Sequence, residues 1–222
     1  MSSTTRPKYS GVIYSVYHFF AVLASKIQFR KGRLSQEERR ILAEYFAKGY
    51  YIILTGNPGH LSSLLVSVMT WFKLGRWSKY SHALMNCDFM DSVEDKDKFK
   101  FVEATAIGVH YSSFDEALDC DYVCLLTPKN VDNEEWTRVI DNLVKSNGRP
   151  YDDLFDLADS SHMSCVEVVV DAFKGIEVFE DLDIMIMLEK NLLPQMFKEC
   201  NDFEIAYETY DKKNTRRTDG IS

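Results

Sequence analysis

The chain has 222 residues, 45% of them hydrophobic and 27% charged, enough for one globular domain with a sizeable core plus an appendage and too hydrophobic for general disorder. Five cysteines, an odd number without framework spacing, argue against a disulfide scaffold and for a reducing compartment, cytoplasmic or within a virion. The net charge of -8 disfavours broad phosphate binding, and with no nucleic-acid motif, phosphate-cradling glycine loop or internal repeat, nucleic acid is not an expected partner.

The charge is unevenly spread. Residues 1–50 hold nine Lys or Arg against three acids, a balance of +6, which leaves -14 on residues 51–222. The basic piece contains the run Tyr9 to Ile27. Three tyrosines and His18 make it too polar for a signal peptide or a membrane span, so an amphipathic helix is expected, docking on the main domain, a protein partner or a membrane surface. Ser35 and Glu38 then form a capping box, and Ile41, Leu42, Tyr45 and Phe46 recur at helical spacing until Gly49. Tyr51 to Gly56 reads as a strand. Leu61, Leu64, Leu65, Val68, Met69 and Phe72 make a helical stripe, with Trp71 and Trp77 beside it, and such a stripe is expected in the core.

Ser81 to Cys87 and Lys98 to Thr105 read as two strands joined by the charged connector Asp88 to Asp97, which suits an exposed hairpin loop. Pairing around the centre of that connector, near 92.5, sets residues opposite each other when their numbers sum to about 185. His82 and Glu103 sum to 185, so they are expected as cross-strand neighbours within reach of an imidazole–carboxylate hydrogen bond. His110, after Gly108 and Val109, is expected to be exposed. Asp121 to Thr127 is a strand closed by Pro128, and Cys120 and Cys124, four apart, are expected on one face of it as core or half-buried thiols. Cys87 and Cys200 have no partner by spacing. Asp132 and Glu135 cap a helix that ends at Gly148. The clustering of strands between helices predicts an α+β fold with a largely antiparallel sheet. The expected divisions are an N-terminal helical extension over 1–49, a main domain over 50–210 and a flexible tail over 211–222.

Ser164 and Glu167 have capping-box spacing, and Gly175 is a natural helix stop. Cys165 is then the first helical residue, where unpaired N–H groups and the helix dipole favour a thiolate. A nucleophile of this kind needs a base and a group that orients the base, roles that His82 and Glu103 can fill. Taken singly, each residue has a plainer reading: Cys165 as a small buried hydrophobe, His82 as a satisfied structural histidine, Glu103 as a salt-bridge partner. A metal site from the same three residues lacks the short paired-ligand spacings of known sites, so neither metal nor cofactor is expected. His162 belongs to the polar loop that leads into the cysteine helix.

Five segments in order resemble the circularly permuted NlpC-like cysteine peptidases of the YiiX/YaeF type, which have a papain-like fold. They are Tyr51 to Gly56, Leu61 to Leu74, Tyr80 to Met85, Val102 to Ala104 with Gly108-Val109, and Gly148 to Asp152 followed by Cys165 to Val169. The resemblance spans about 130 residues by this count of motifs. It departs at Tyr50, where the group's first strand has Asp, and at Val166, where the group has Ser after the cysteine. It implies Cys165 as nucleophile, His82 as general base and acid, Glu103 as orienting carboxylate, and Tyr151 as a substrate-binding helper, unless its ring merely packs against the sheet. The implied activity is cleavage of an amide bond in a peptide, most plausibly a cell-wall (peptidoglycan) peptide. The alternatives are an acyltransferase or lipid-ester hydrolase using the same residues, and a non-catalytic structural module of a virion or envelope.

Overall fold

The computed structural model describes residues 19, 23–24, 26–75, 77–88, 98–152, 161–176 and 193–209. Most of the expected N-terminal helix over 9–27, most of the connector over 88–97, and the tail over 211–222 lie outside them. Among the described residues the order is α1 (Gln36–Phe46), β1 (Ile52–Gly56), α2 (Leu61–Leu74), β2 (His82–Asn86), β3 (Phe101–Thr105), β4 (Gly108–Ser112), α3 (Phe114–Ala117), β5 (Tyr122–Pro128), α4 (Asn133–Lys145), α5 (Cys165–Ala172), α6 (Pro194–Glu199) and β6 (Phe203–Glu208). The fold is α+β. Its sheet runs β4-β3-β2-β1-β5-β6, every neighbouring pair antiparallel.

Strand alternation divides the core in two. Ile52, Leu54, Ala83, Met85, Val102, Ala104, Cys124 and Leu126 face α4, α5 and α6. Ile53, Leu84, Phe101, Val123 and Leu125 face the other way, onto α1 and α3. That second layer is aromatic: Phe46 of α1 meets the rings of Phe101 and Phe114 edge-on, at centroid separations of 5.1 and 6.3 Å. The central strand β1 is buried along its whole length, the polar Thr55 included. Capping boxes at Ser35, Ser113, Asp132 and Ser164 start α1, α3, α4 and α5 with both reciprocal hydrogen bonds formed.

Two features anchor the sheet around the first strand. The buried Asn86 amide accepts from the Tyr51 N–H at 2.7 Å and donates to the Gly49 carbonyl at 2.8 Å, so a side chain of β2 clamps the chain on either side of Tyr50. At the other end of β1, the segment returning from α2 crosses directly over Gly56. A Cβ there would stand 1.7 Å from the Lys79 carbonyl oxygen. The crossing delivers the chain into β2, where the Ser81 N–H donates to the Thr55 carbonyl at 2.9 Å and Thr55 is the ladder partner of His82.

The stripe on α2 corrects the sequence expectation of a core position. Leu64, Leu65, Trp71 and Phe72 are exposed, as is Trp77 just beyond the helix. It is Val66, Ser67 and Thr70 that turn towards the body: Val66 packs on the core, the Ser67 hydroxyl reaches the Ser78 carbonyl at 3.3 Å, and Thr70 is fully buried. Periodicity defines a stripe but not which side of the helix the rest of the protein covers.

Gly56→Ala is expected to destabilise the fold by about 2–3 kcal/mol, because backbone rather than a flexible side chain must yield. Urea unfolding checks this. An unchanged midpoint would mean that the crossing can widen without cost.

Candidate active site

The capping box of α5 engages the N–H groups of Ser164 and Glu167, through bonds of 2.6 and 3.4 Å. Cys165 and Val166 lie between them, in the first turn, where N–H groups have no intrahelical acceptor. The approach to this helix is set by backbone pairing. Tyr151 and Met163 form a parallel bridge in which the Met163 N–H donates to the Pro150 carbonyl at 2.9 Å and the Asp152 N–H to the Met163 carbonyl at 3.1 Å. The preceding residues are held by the tip of the β3–β4 hairpin: the Val109 N–H donates to the Arg149 carbonyl at 2.8 Å, and the Gly148 N–H to the Val109 carbonyl at 2.9 Å. Gly108 makes this approach possible, with a φ of 102° and the Arg149 carbonyl oxygen 2.7 Å from where a Cβ would sit. The segment 148–152 thus ties the β3–β4 hairpin, which carries Glu103, to the start of α5.

The His82 and Glu103 side chains meet, with Nε2 2.7 Å from Oε2. The register is not the one expected. Leu84 pairs with Glu103 and Met85 with Val102, so opposite residues sum to 187 and His82 projects towards Thr105. The two side chains are diagonal rather than direct neighbours. A shift of two preserves the face, whereas a shift of one would have separated them.

Cys165 acts on the same imidazole, raising its pKa alongside Glu103. With Nε2 engaged by Glu103, Nδ1 is the ring nitrogen left for the sulfur. Glu103 is the ladder partner of Leu84 and shares its face, while Cys165 packs in the cluster on the opposite face. The chain of contacts therefore passes round the end of β2, and His82, the first residue of that strand, spans it.

Burial works against the charged imidazole, but hydrogen bonds to Cys165 and Glu103 and the charges of both outweigh it, raising His82 from 6.5 to about 10. Burial likewise opposes the charge on Glu103. The hydrogen bond and charge of His82, aided by His110, nevertheless hold it below the ordinary carboxylate range. At neutral pH the pair is imidazolium and carboxylate, and Nε2–H donates to Oε2.

Sequence reasoning missed His110. It is the direct ladder partner of Glu103, half-buried, with Nε2 3.8 Å from Oε1 and Nδ1 2.9 Å from the Gly108 carbonyl oxygen. A sequence signal existed: Gly108, two loop residues after the end of β3 at Thr105, marks a tight hairpin that forces positions 103 and 110 together. Tyr151 is half-buried with its ring against the core. His162 bonds Ser161 at 2.9 Å. Cys120 and Cys124 are buried as expected but do not share a face: Cys120 precedes β5 and packs on the aromatic side, Cys124 on the other. Burial pushes the thiols of both well up, and that of Cys87 to about 11. All five cysteines are free thiols.

No protein-family model matches the chain, and a search of curated proteins gives no match. Among solved structures it is similar to the crystal structure of the metalloprotein yiiX from Escherichia coli O157:H7. The two share 17% identity at a TM-score of 0.53, over 72% of this chain and 96% of that one. At that identity the likeness establishes the fold, α+β of the YiiX-like type with an antiparallel sheet packed by helices. That protein is described as a metalloprotein. Among the described residues of this chain, no group of three or more His, Cys, Asp or Glu is placed to hold a metal ion. Nor, among them, is any helix long and apolar enough to cross a membrane.

The His82 ring is expected to titrate near 10 in the folded protein, and Cys165→Ser should move that midpoint downwards by removing the sulfur that helps to raise it. Histidine-selective NMR measures both, and a midpoint unmoved by the substitution would contradict the contact. The raised value also has a consequence for stability. Stabilisation from the imidazolium is complete below pH 6.5 and is lost as pH rises through about 10, so the alkaline fall in urea midpoint should shrink in His82→Gln.

Proposed function

We propose that the chain is a thiol hydrolase that cleaves an amide bond through an acyl-enzyme on Cys165. The observation supporting this reading is one imidazole hydrogen-bonded to a buried carboxylate and electrostatically coupled to a helix-start cysteine. The Cys165 sulfur attacks the substrate carbonyl carbon, an S–C bond forms, and the carbonyl electrons move onto oxygen. The Cys165 N–H at the start of α5 is the donor proposed for that oxyanion. When the tetrahedral species collapses, the C–N bond breaks and His82 delivers its proton to the leaving nitrogen. Water then attacks the thioester, neutral His82 takes up its proton, and the S–C bond breaks to release a carboxylic acid.

Glu103 keeps the imidazole in one orientation and stabilises its positive form, a positioning role. Tyr151, next to the segment that sets the approach to α5, is the proposed helper at the edge of the substrate. A peptide amide is the proposed substrate class, with a cell-wall peptide the instance that the NlpC-like resemblance favours. The acyl-transfer or lipid-ester reading uses the same three residues, and the exposed apolar face of α2 is the observation in its favour.

Iodoacetamide at neutral pH should modify Cys165 far faster than the other four thiols, three of which burial disfavours as thiolates. Peptide mapping after brief treatment reads the rates, and equal labelling would leave the nucleophile without support. With a thioester probe, an acyl adduct should appear on Cys165 and turn over. His82→Ala should slow that turnover by about 10²–10⁴-fold, the usual contribution of a general acid–base group.

A further inference from the structure

Two long segments of the chain carry basic residues and no acids. Residues 1–36 and 45–87 together contain ten Lys or Arg and no Asp or Glu, so the other residues carry a net -18 to make the total of -8. These two acid-free segments touch. Gln28 bridges to His60, the Phe29 N–H donates to the Gly59 carbonyl at 2.6 Å, and the Leu61 N–H donates to the Ile27 carbonyl at 3.1 Å, which brings residues 27–29 against the start of α2.

The outward face of α2 is apolar. At 100° per residue Leu64, Leu65, Trp71 and Phe72 fall within an arc of about 120°, and the opposite arc holds Val66, Ser67 and Thr70, which face the body. Phe72 is 76% exposed. Two further exposed aromatics stand at the ends of the helix, Phe29 at 69% beside its start and Trp77 at 60% beyond its finish. Lys26, Lys31, Arg33 and Lys79 are exposed on the same two segments. The carboxylates nearest residues 28–33 are already engaged, Asp119 by Gln28 and the Gly32 N–H, Asp121 by Arg30.

From this surface we infer that α2, with the segment around Phe29, docks on a bilayer bearing anionic phospholipid. Trp and Phe beside Lys and Arg suit the boundary between headgroups and acyl chains, where rings enter the apolar edge and cations meet phosphate. Charge decides between occupants. A second copy would bring the same cation-rich, acid-free segments face to face, whereas an anionic membrane complements them. The inference is independent of the thiol chemistry.

Flotation of the full chain with phosphatidylcholine vesicles, with and without phosphatidylserine, tests it. Binding is expected only with phosphatidylserine, with a blue shift of tryptophan emission and weakening as salt is raised. The double variant Phe72→Ser, Trp77→Ser should melt like the parent, since both rings are exposed, and should bind such vesicles at least about tenfold more weakly. Lys26→Glu with Lys31→Glu should weaken binding while leaving phosphatidylcholine controls unchanged. The inference is overturned if the parent stays off phosphatidylserine vesicles at low salt, or if the aromatic variant binds them equally well. It is also overturned if sedimentation velocity shows a dimer or a complex with an added protein that the aromatic variant dissolves, since the face would then be a protein interface.

Discussion

Glu103 keeps a negative charge on a side chain only 11% exposed, and a carboxylate so placed costs several kcal/mol unless neighbours replace the water it loses. Two neighbours do so: His82 at 2.7 Å and His110 at 3.8 Å across the ladder. The nearer dominates, because only His82 combines a full hydrogen bond with a charge. The interaction is mutual. What holds Glu103 ionised also holds the imidazole protonated and in one orientation, so the geometry at Cys165 depends on a carboxylate that never touches the sulfur's own helix face.

Local rules alone would not bring these groups together. The cysteine helix lies on one side of the sheet and the carboxylate on the other, and the histidine joins them only because it is the first residue of its strand. Two backbone crossings fix that end of the sheet. Lys79 passes over Gly56 before the chain enters β2, and Arg149 passes over Gly108 before the chain turns towards Met163 and Cys165. At both crossings a side chain on the glycine would force backbone against backbone. The two close approaches do for this fold what a cofactor or disulfide does in others, fixing segments that are remote in sequence.

Much of this was legible beforehand, for identifiable reasons. Capping boxes are local, so Ser35, Asp132 and Ser164 marked helix starts that the structure has, and the hairpin arithmetic placed His82 and Glu103 on one face because side-chain direction in a strand depends only on parity. The same arithmetic missed the register by two because it assumed a loop centred on the connector, and turn geometry, not connector length, sets register. His110 was passed over because a histidine just after a turn reads as exposed until the two-residue loop before Gly108 is recognised. The side of α2 that faces solvent was illegible for a deeper reason. A stripe of Leu, Trp and Phe has the same periodicity whether it packs inward or outward, and only the body's choice of Val66, Ser67 and Thr70 as the packing surface decides.

That choice links the outer face to the site. The helix leaves the sheet at Gly56 and the chain returns at His82, and in the sheet His82 is the partner of Thr55, one residue before that departure. Both ends of the excursion are therefore fixed at the edge of the candidate active site, and the helix has little freedom to move without moving the first residue of β2. A surface that captures α2 would orient the imidazole and the sulfur beside it with respect to that surface. An amide or ester carried at such a surface would meet the thiol by two-dimensional diffusion rather than by search through solution. The choice between a soluble peptide and an amphiphilic acyl substrate thus turns on which environment the Trp71, Phe72 and Trp77 side of the molecule occupies.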